Sequence, residues 1–378
     1  MSPLGLALAL LPLWLYPLAT LVAAARFARR RTVPSPAPRP VTVLKPLYGA
    51  EPGLRDNLRS FVAQDYPAAQ IVMGVRNPAD PAAATARALI AEFPGRDIAL
   101  VVDPAARGRN LKVANLENML PAARHDVLVI ADSDMRVGPG YLAAVAAPLE
   151  APETGIVTCL YKGVAMGGLW SRLGALHINY GFLPGALLAE ALGAGGGCFG
   201  ATIALRREVL DRIGGFARLR DELADDHRIG AAVREAGLAV ILSPCLVETC
   251  VSEANFAALW RHELRWARTV RLMAPAGFAG SLLTHTAVLS VGAALCVAPW
   301  PAAWGIVAAA LALRWAAALG LARLLRLPRG GLWLLPLRDA LSFAVFAASF
   351  CGRNVAWRDQ LYRVGPDGRI SADGDRPG

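Results

Sequence analysis

The sequence predicts an α/β protein, in which a mostly parallel sheet with flanking helices is held between transmembrane helices at both ends of the chain. Two observations predict the membrane helices: residues 3–25 carry no charge, and a second apolar region runs from about residue 281 to 351. Stretches of about 20 apolar residues are long enough to cross a bilayer. The third observation is that strand and helix patterns alternate between these regions, which is typical of a parallel sheet wound with helices.

The composition agrees with a membrane protein. Hydrophobic residues make up 55% of the 378 residues and charged residues only 18%, a skew away from soluble averages. The net charge of +10 comes from basic residues at the membrane flanks and in one helix, without an aromatic–basic platform, so we expect no nucleic-acid partner. None of the six cysteines forms a C-x-x-C pair, which indicates reduced cysteines rather than a zinc site or a disulfide framework.

The N-terminal apolar stretch is predicted to be an uncleaved anchor. The basic sequence RFARRR follows it directly, whereas a signal peptide carries its charge before the apolar run. The positive-inside rule then places residue 26 onward in the cytoplasm. Residues 32–40 form a proline-rich linker.

The C-terminal apolar region is predicted to cross the membrane twice, with a break at residues 299–301. A third segment, 332–351, is interrupted by Arg338 and Asp339. A third crossing would leave the tail arginines outside, against the charge rule. We therefore expect 332–351 to lie in the interface or to be re-entrant. The tail arginines are Arg353, Arg358 and Arg363.

The central region begins with four strands and three helices. The strands are predicted at 40–48, 69–80, 98–103 and 127–131, and the helices at 53–64, 81–93 and 110–123. Parallel sheets bind ligands beyond the carboxyl ends of their strands. Asp80 and Asp132 both fall at that edge.

The stretch VLVIADSDMRV places two carboxylates, Asp132 and Asp134, at the end of an apolar strand. Carboxylates this close repel each other unless a cation neutralises them. A hard divalent ion that also binds phosphate oxygens would do so. A solvated loop is the alternative interpretation.

Three further segments support a site, although each also has an ordinary structural interpretation. Asp225 and Asp226 stand at a predicted helix start, where acidic residues also favour the helix dipole. The glycine-rich segment 195–200 would let the backbone approach a ligand, or would form a flexible turn. The helix at 260–271 has basic residues on one face, which also suits a membrane-surface helix. Those residues are Arg261, Arg265 and Arg268.

Seven segments, in order, resemble the ceramide-glucosyltransferase type of membrane glycosyltransferase, most closely its bacterial hopanoid-associated branch. They are LKPLYGAEPGL, NPADP, NLKVANL, ADSDMRV, CFGATIALRREVLDRIGGF, ADDHRIG and LRWART. The family signature is three separated aspartates followed by a (Gln/Arg)-x-x-Arg-Trp motif. Here the motif begins with His262, which leaves the role of that residue open.

The resemblance implies a GT-A fold and inverting transfer of a sugar from a UDP-sugar, with Mg²⁺ or Mn²⁺ as cofactor. It implies that Asp80 holds the nucleoside, that Asp132 and Asp134 hold the metal against the diphosphate, and that Asp226 is the general base. Arg265 would stabilise the diphosphate and Trp266 would form a wall for sugar or acceptor. Lys112 would contact the nucleotide, or is a surface lysine.

The acceptor is expected to be a lipid, because the catalytic region is tied to the membrane at both ends. The resemblance of three segments, IVTCLYKG, GGLWSRLGALHIN and ALWRHELRWART, to the hopanoid-associated branch favours transfer of N-acetylglucosamine to a hopanoid tetrol. Transfer of glucose to ceramide and transfer of a sugar to diacylglycerol are the alternatives. Two other functions are less favoured by the sequence. A processive polysaccharide synthase would need more membrane spans to form a channel. A non-catalytic nucleotide-binding scaffold would not need the intact aspartates. We expect a multi-pass protein of the inner membrane with a cytoplasmic catalytic domain.

The predicted organisation has six parts. They are the anchor (1–26), the linker (27–40), the catalytic domain (41–255), an interfacial region with the H-x-x-R-W motif (256–280), the C-terminal membrane segments (281–352) and a tail (353–378).

Overall fold

A computed structural model describes residues 3–33, 35–194, 197–297, 300–352, 354–357, 360–364 and 370–372. The chain forms two compact units. The sheet unit comprises residues 31–162 and 196–250, and the helical unit comprises residues 1–30, 163–195 and 251–378.

Within the described residues, ten strands lie between residues 41 and 251, and three short ones follow near the C-terminus. They are β1 (Val41–Pro46), β2 (Ala69–Val75), β3 (Asp97–Val102), β4 (Val127–Ile130), β5 (Met135–Arg136), β6 (Thr154–Thr158), β7 (Tyr161–Ala165), β8 (Ile203–Arg206), β9 (Ala239–Leu242), β10 (Val247–Val251), β11 (Asn354–Trp357), β12 (Gln360–Val364) and β13 (Ile370–Ala372).

Fourteen α-helices lie in the described residues. They are α1 (Pro3–Ala28), α2 (Leu54–Val62), α3 (Pro81–Glu92), α4 (Leu111–Met119), α5 (Tyr141–Ala146), α6 (Leu169–His177), α7 (Leu183–Ala191), α8 (Arg207–Arg212), α9 (Asp225–Glu235), α10 (Phe256–Met273), α11 (Pro275–Gly280), α12 (Thr286–Val297), α13 (Trp300–Leu324) and α14 (Leu335–Ser349).

The sheet unit is built on a seven-stranded sheet in the order β3-β2-β1-β4-β8-β6-β9. Strands β1 to β4 are mutually parallel, as predicted, and β6 pairs with β9 in parallel. Only β8 runs antiparallel to its neighbours β4 and β6. The predicted mostly parallel sheet is therefore confirmed, and it brings the ends of β1, β2 and β4 to one edge.

Apolar side chains cover both faces of this sheet, as the unbroken apolar strands require. Val43 and Val129 pack on one face with helices α2, α3 and α5. Leu44 and Ile130, the next residues in the same strands, pack on the other face with α4, α8 and α9. Successive residues of a strand point to opposite faces, so two apolar layers hold the strand ends in place.

The helical unit contains two helices that are long and apolar enough to cross a membrane, Pro301–Leu324 and Leu332–Ser349. A third candidate is a pair, Pro275–Thr284 with Thr286–Cys296, bent by 63°. The predicted anchor forms α1, in which Leu13–Ala28 is one of the shorter apolar helices. The unit thus has the apolar helices that membrane association needs.

The predicted boundaries within the helical unit can be compared with its helices. The segment predicted to be interfacial or re-entrant contains Leu332–Ser349, which is long and apolar enough to span a membrane by length and composition alone, and the predicted first C-terminal span overlaps the bent pair. Residues 163–195, predicted within the catalytic domain, group with the terminal helices. The tail arginine Arg353, the break residue Pro299 and most of the tail beyond residue 364 lie outside the described residues.

Candidate active site

The backbone of the acidic loop Asp132–Ser133–Asp134 is held by hydrogen bonds to all three of its carbonyls. The Lys45 ammonium donates to the carbonyl of Asp132. The Asn57 amide donates to the carbonyl of Ser133 at 3.4 Å, and the backbone N–H of Cys250 donates to that of Asp134 at 3.1 Å. Each of the three carbonyls therefore has a donor from a different segment of the sheet unit.

Two lysines supply the positive charge that the carboxylate pair requires. Lys45 is fully buried near the C-terminal end of β1, and its ammonium lies 4.0 Å from the centre of the Phe61 ring. Lys112, near the start of α4, binds Asp132 Oδ1 at 2.8 Å and Asp225 Oδ2 at 3.0 Å. The ammonium of Lys112 is therefore paired with one carboxylate of the acidic loop and with one of α9.

The electrostatics of the pair are unusual. Burial, and then the negative charge of Asp132, raise the pKa of Asp134 to about 7, although Thr249 donates a hydrogen bond to it at 2.7 Å. Burial lowers the pKa of Lys45 to about 8, against the pull of Asp134 and Asp132. Perturbed groups in a cleft are typical of functional sites.

The pKa of Lys112 moves in the opposite direction. Burial alone would lower it, but the charges of Asp132 and Asp225 outweigh burial and raise it. Lys112 is thus a fixed cation between two acidic segments, and the alternative of a surface lysine is wrong.

Asp226 lies in the first turn of α9, directly after Asp225. Its Oδ2 accepts the N–H of Gly200 at 3.0 Å and its Oδ1 accepts the N–H of His227 at 2.7 Å. Burial, and then the charge of Asp225, raise the pKa of Asp226 to about 6. A carboxylate with such a pKa is suited to take a proton near neutral pH.

The structure brings three predicted site residues together around Gly200. A Cβ at Gly200 would lie 3.0 Å from Asp132 Oδ2, 3.4 Å from Asp226 Oδ2 and 3.5 Å from Lys112 Nζ. The first aspartate of the dyad, the candidate base and a cation therefore meet around Gly200, where a side chain would crowd them.

Asp80 lies at the predicted edge, but β1 separates its strand from that of the dyad. Its Oδ1 accepts the N–H of Ala82 at 2.8 Å, which caps α3, and the N–H of Gly49 at 2.9 Å. Gly49 has a positive φ of 74°, which favours glycine. Asp80 therefore caps α3 and holds the segment after β1 through Gly49, and its role toward a nucleoside stays a prediction.

Arg265 and Trp266 lie on α10, in the helical unit. The ring of His262 meets the edge of Trp266 at 4.3 Å between centroids, and its Nδ1 lies 2.7 Å from Glu253 Oε1. His262 thus packs Trp266 and is itself anchored by an acid. The predicted roles of Arg265 and Trp266 stay predictions.

The dyad fits a divalent ion that is shared with a phosphate. Within the described residues no group of three or more His, Cys, Asp or Glu side chains is arranged as a metal cage. Mg²⁺ and ions like it are usually held by one or two carboxylates together with waters and substrate phosphates, and Asp132 and Asp134 supply that number.

Comparison with known proteins assigns the chain to a family. Residues 6–370 match glycosyl transferase family 21. The chain belongs to this family. The match covers both the sheet unit and most of the helical unit.

Two curated relatives of the chain are ceramide glucosyltransferases. The one from Komagataella phaffii is 34% identical over 123 residues, which are 31% of this chain and 24% of that protein. Ceramide glucosyltransferase 1 of Caenorhabditis elegans is 24% identical over 223 residues, 56% of this chain and 45% of that protein. The chain spans less than half the length of either relative. A closer likeness to the hopanoid-associated branch is not among these findings.

A solved structure supports the fold. A mannosyltransferase from Pyrobaculum calidifontis, solved with GDP-Man and Mn²⁺, superposes with a TM-score of 0.51 at 20% identity over 93% of this chain and 99% of that one. The predicted GT-A-type α/β fold is thereby confirmed.

Sequence reasoning missed the functional surroundings of the dyad. The motif LKPLYGAEPGL contains Lys45, and a lysine within an apolar strand is in itself a signal of a buried charge that needs a partner. Asn57, Thr249 and the pairing of Lys112 with Asp225 left no local signal, because each contact joins segments far apart in the chain.

Proposed function

We propose that the chain is a membrane-associated, inverting glycosyltransferase that moves a sugar from a nucleoside diphosphate sugar to a lipid hydroxyl. Its membership of glycosyl transferase family 21 supports the reaction class. The single observation that carries the site is the meeting of Asp132, Asp226 and Lys112 around Gly200.

In this proposal the acceptor hydroxyl attacks the anomeric carbon as the bond to the diphosphate oxygen breaks. Asp226 takes the hydroxyl proton, a role that contributes about 10²–10⁴ in rate. Asp132 and Asp134 would hold Mg²⁺ or Mn²⁺ on the diphosphate, where the ion supplies Lewis-acid stabilisation of the leaving group. Lys112, held by Asp225, adds a fixed positive charge beside it.

The other predicted residues have supporting roles in the proposal. Asp80 contacts the nucleoside, Arg265 neutralises diphosphate charge and Trp266 forms an apolar wall. The protein is proposed to lie in the inner membrane with several spans and a cytoplasmic catalytic domain, on the basis of its apolar helices and of the basic residues that flank them.

For the substrates, the curated relatives favour glucose as the sugar and ceramide as the acceptor. Transfer of N-acetylglucosamine to a hopanoid polyol remains a prediction that rests on short sequence segments alone. Ceramide offers a primary hydroxyl at headgroup depth, within reach of a catalytic unit attached to the bilayer.

The test is a transfer assay with purified protein in detergent–lipid micelles. Radiolabelled UDP-glucose, UDP-N-acetylglucosamine and UDP-galactose are each offered with ceramide, a hopanoid tetrol and diacylglycerol. We expect label from UDP-glucose to appear in ceramide and to disappear with EDTA and return with Mn²⁺. Transfer to soluble sugars alone, or none to any lipid, would overturn the proposal; preference for the hopanoid would overturn its choice of acceptor.

A further inference from the structure

The charge at the base of the acidic loop lies on Lys45, which the reaction scheme leaves without a role. Lys45 is 0% exposed and stands in β1 between Leu44, which packs in one apolar layer, and Pro46. A buried ammonium is costly unless it is paired and hydrogen-bonded. Because an apolar side chain at this position would avoid that cost, we expect the positive charge of Lys45 to have a role of its own.

The surroundings of Lys45 identify that role. Its ammonium donates to the carbonyl of Asp132, the first of the two acidic residues of the loop. The same ammonium lies 4.0 Å from the centre of the Phe61 ring, an arrangement that favours a cation. One buried cation is therefore held against the backbone of the loop that carries both carboxylates.

Lys112 does not duplicate this role. It binds Asp132 through the carboxylate and is shared with Asp225 on α9, so it faces the space around Gly200. Lys45 instead contacts the loop through a main-chain oxygen, from within the sheet, where it leaves the carboxylate oxygens available to a ligand.

We propose that Lys45 is a positioning residue of the candidate metal site: its ammonium is the resident counter-charge that fixes the Asp132 carbonyl and lets Asp132 and Asp134 stand close together before an ion arrives. The part of this inference that concerns metal binding rests on the proposed function. The part that concerns the charge balance of the fold does not.

The experiment compares K45M with T42V. Methionine keeps most of the volume of lysine and removes the charge. Thr42 is a matched control, because it is also fully buried in β1 and its Oγ1 donates to Gln70 at 2.9 Å, at the other end of the strand. Binding of Mn²⁺ in the presence of UDP is followed by electron paramagnetic resonance, and folding by thermal unfolding.

We expect K45M to weaken Mn²⁺ binding by about 10- to 100-fold, the usual effect of removing a group that orients a metal ligand. T42V should lower the unfolding temperature without changing Mn²⁺ affinity. In the transfer assay, K45M should lower kcat more than it raises KM for the lipid. Equal Mn²⁺ affinity in K45M and the wild type would overturn the positioning role.

A second pair of variants tests the counter-charge directly. D134N in the wild-type background removes one carboxylate, and K45M/D134N removes a charge of each sign. We expect the double variant to unfold at a higher temperature than K45M alone, by roughly 5 °C or more, because K45M leaves the two neighbouring carboxylates Asp132 and Asp134 to repel each other without the buried cation.

This cycle decides the charge balance even if K45M alone fails to fold. Additive losses, or a double variant no more stable than K45M, would show that Lys45 serves packing only and would overturn the inference. Failure of every transfer assay with an intact K45M/D134N coupling would instead count against the proposed function and leave the counter-charge in place.

Discussion

Gly200 is the residue on which the convergence of charges depends. Alanine there would place a methyl group 3.0 Å from Asp132 Oδ2 and 3.4 Å from Asp226 Oδ2, so one of these carboxylates must shift by a few tenths of an ångström. Since a misplacement of 1 Å costs about 10²-fold in rate, we expect G200A to lower kcat roughly tenfold.

The matched control is G95A, because nothing lies within 4 Å of a Cβ at Gly95 and its φ is not positive. Steady-state kinetics on both variants and their unfolding temperatures make the comparison. Full activity of G200A would contradict the placement of the site around this residue.

Asp226 gives the site its predicted pH dependence. Its pKa of about 6 means that the carboxylate is ionised, and able to accept a proton, above pH 6. Turnover should therefore fall about tenfold per pH unit below that value. The measurement is kcat against pH at saturating Mn²⁺, because a bound ion keeps the neighbouring Asp134 ionised and out of the profile.

Asp225 provides a control for this assignment. Its negative charge is one of the two causes that raise the pKa of Asp226, so D225N should move the acid limb to lower pH. E235Q, at the other end of α9, changes an exposed carboxylate bound to Arg218 and should leave the limb in place. If the acid limb of the kcat–pH profile does not shift in D225N, or if no acid limb is observed, Asp226 is not the general base.

At this scale the sequence predicts residues that act through a motif and misses residues that act through a contact. Asp132, Asp134 and Asp226 were recognisable because the chemistry needs carboxylates at strand and helix ends. Lys45 and Asn57 hold the same loop from β1 and α2, and only the folded chain shows that their side chains reach its carbonyls.

Helices α10 and α14 are joined by a buried ion pair. Arg338 donates to both oxygens of Glu263 at 2.7 and 2.8 Å, and the two side chains are 1% and 4% exposed. Removing one partner leaves a buried charge, which costs about 3–5 kcal/mol. We expect R338M to unfold several degrees below the wild type in detergent, as measured by calorimetry, and R338M/E263Q to recover part of the loss.

The control is the exposed pair of Arg30 and Glu190, at 2.8 Å with side chains 38% and 31% exposed. Such pairs contribute about 0–1 kcal/mol, so R30Q should change the unfolding temperature little. Equal effects of R338M and R30Q would contradict a structural role for the buried pair.

The same contacts bear on the topology of α14. Near its start α14 binds Glu263 of α10, and just beyond its end the carbonyls of Cys351 and Gly352 accept from Arg268 and Arg271 of the same helix. A helix as basic as α10 is costly at hydrocarbon depth. The contacts therefore favour the sequence prediction of an interfacial helix over the crossing that length and composition alone allow.

Single cysteines at Gly330 and Gly352, in a variant without native cysteines, test this topology in sealed inverted vesicles. We expect a membrane-impermeant maleimide to label both from the cytoplasmic side. Labels on opposite sides would show that α14 crosses the membrane.

For the whole molecule, the alternation of strands and helices was enough to predict a parallel sheet, because each unbroken apolar strand demands a covered surface on both faces. The antiparallel direction of β8 was not predicted, because no pattern in its sequence indicates how the strand runs relative to its neighbours. The grouping of residues 163–195 with the terminal helices follows from contacts over long separations, such as Arg338 with the carbonyl of Leu173, and has no local pattern.

The central claim is that one chain binds a nucleotide at the acidic loop and uses Asp226 to transfer its sugar to a lipid. The most direct measurement is made on D226N: transfer of label from UDP-glucose to ceramide, beside the affinity for UDP with Mn²⁺ by calorimetry. The account predicts a loss of about 10²–10⁴ in kcat with wild-type affinity for UDP. Retained turnover in D226N would contradict it.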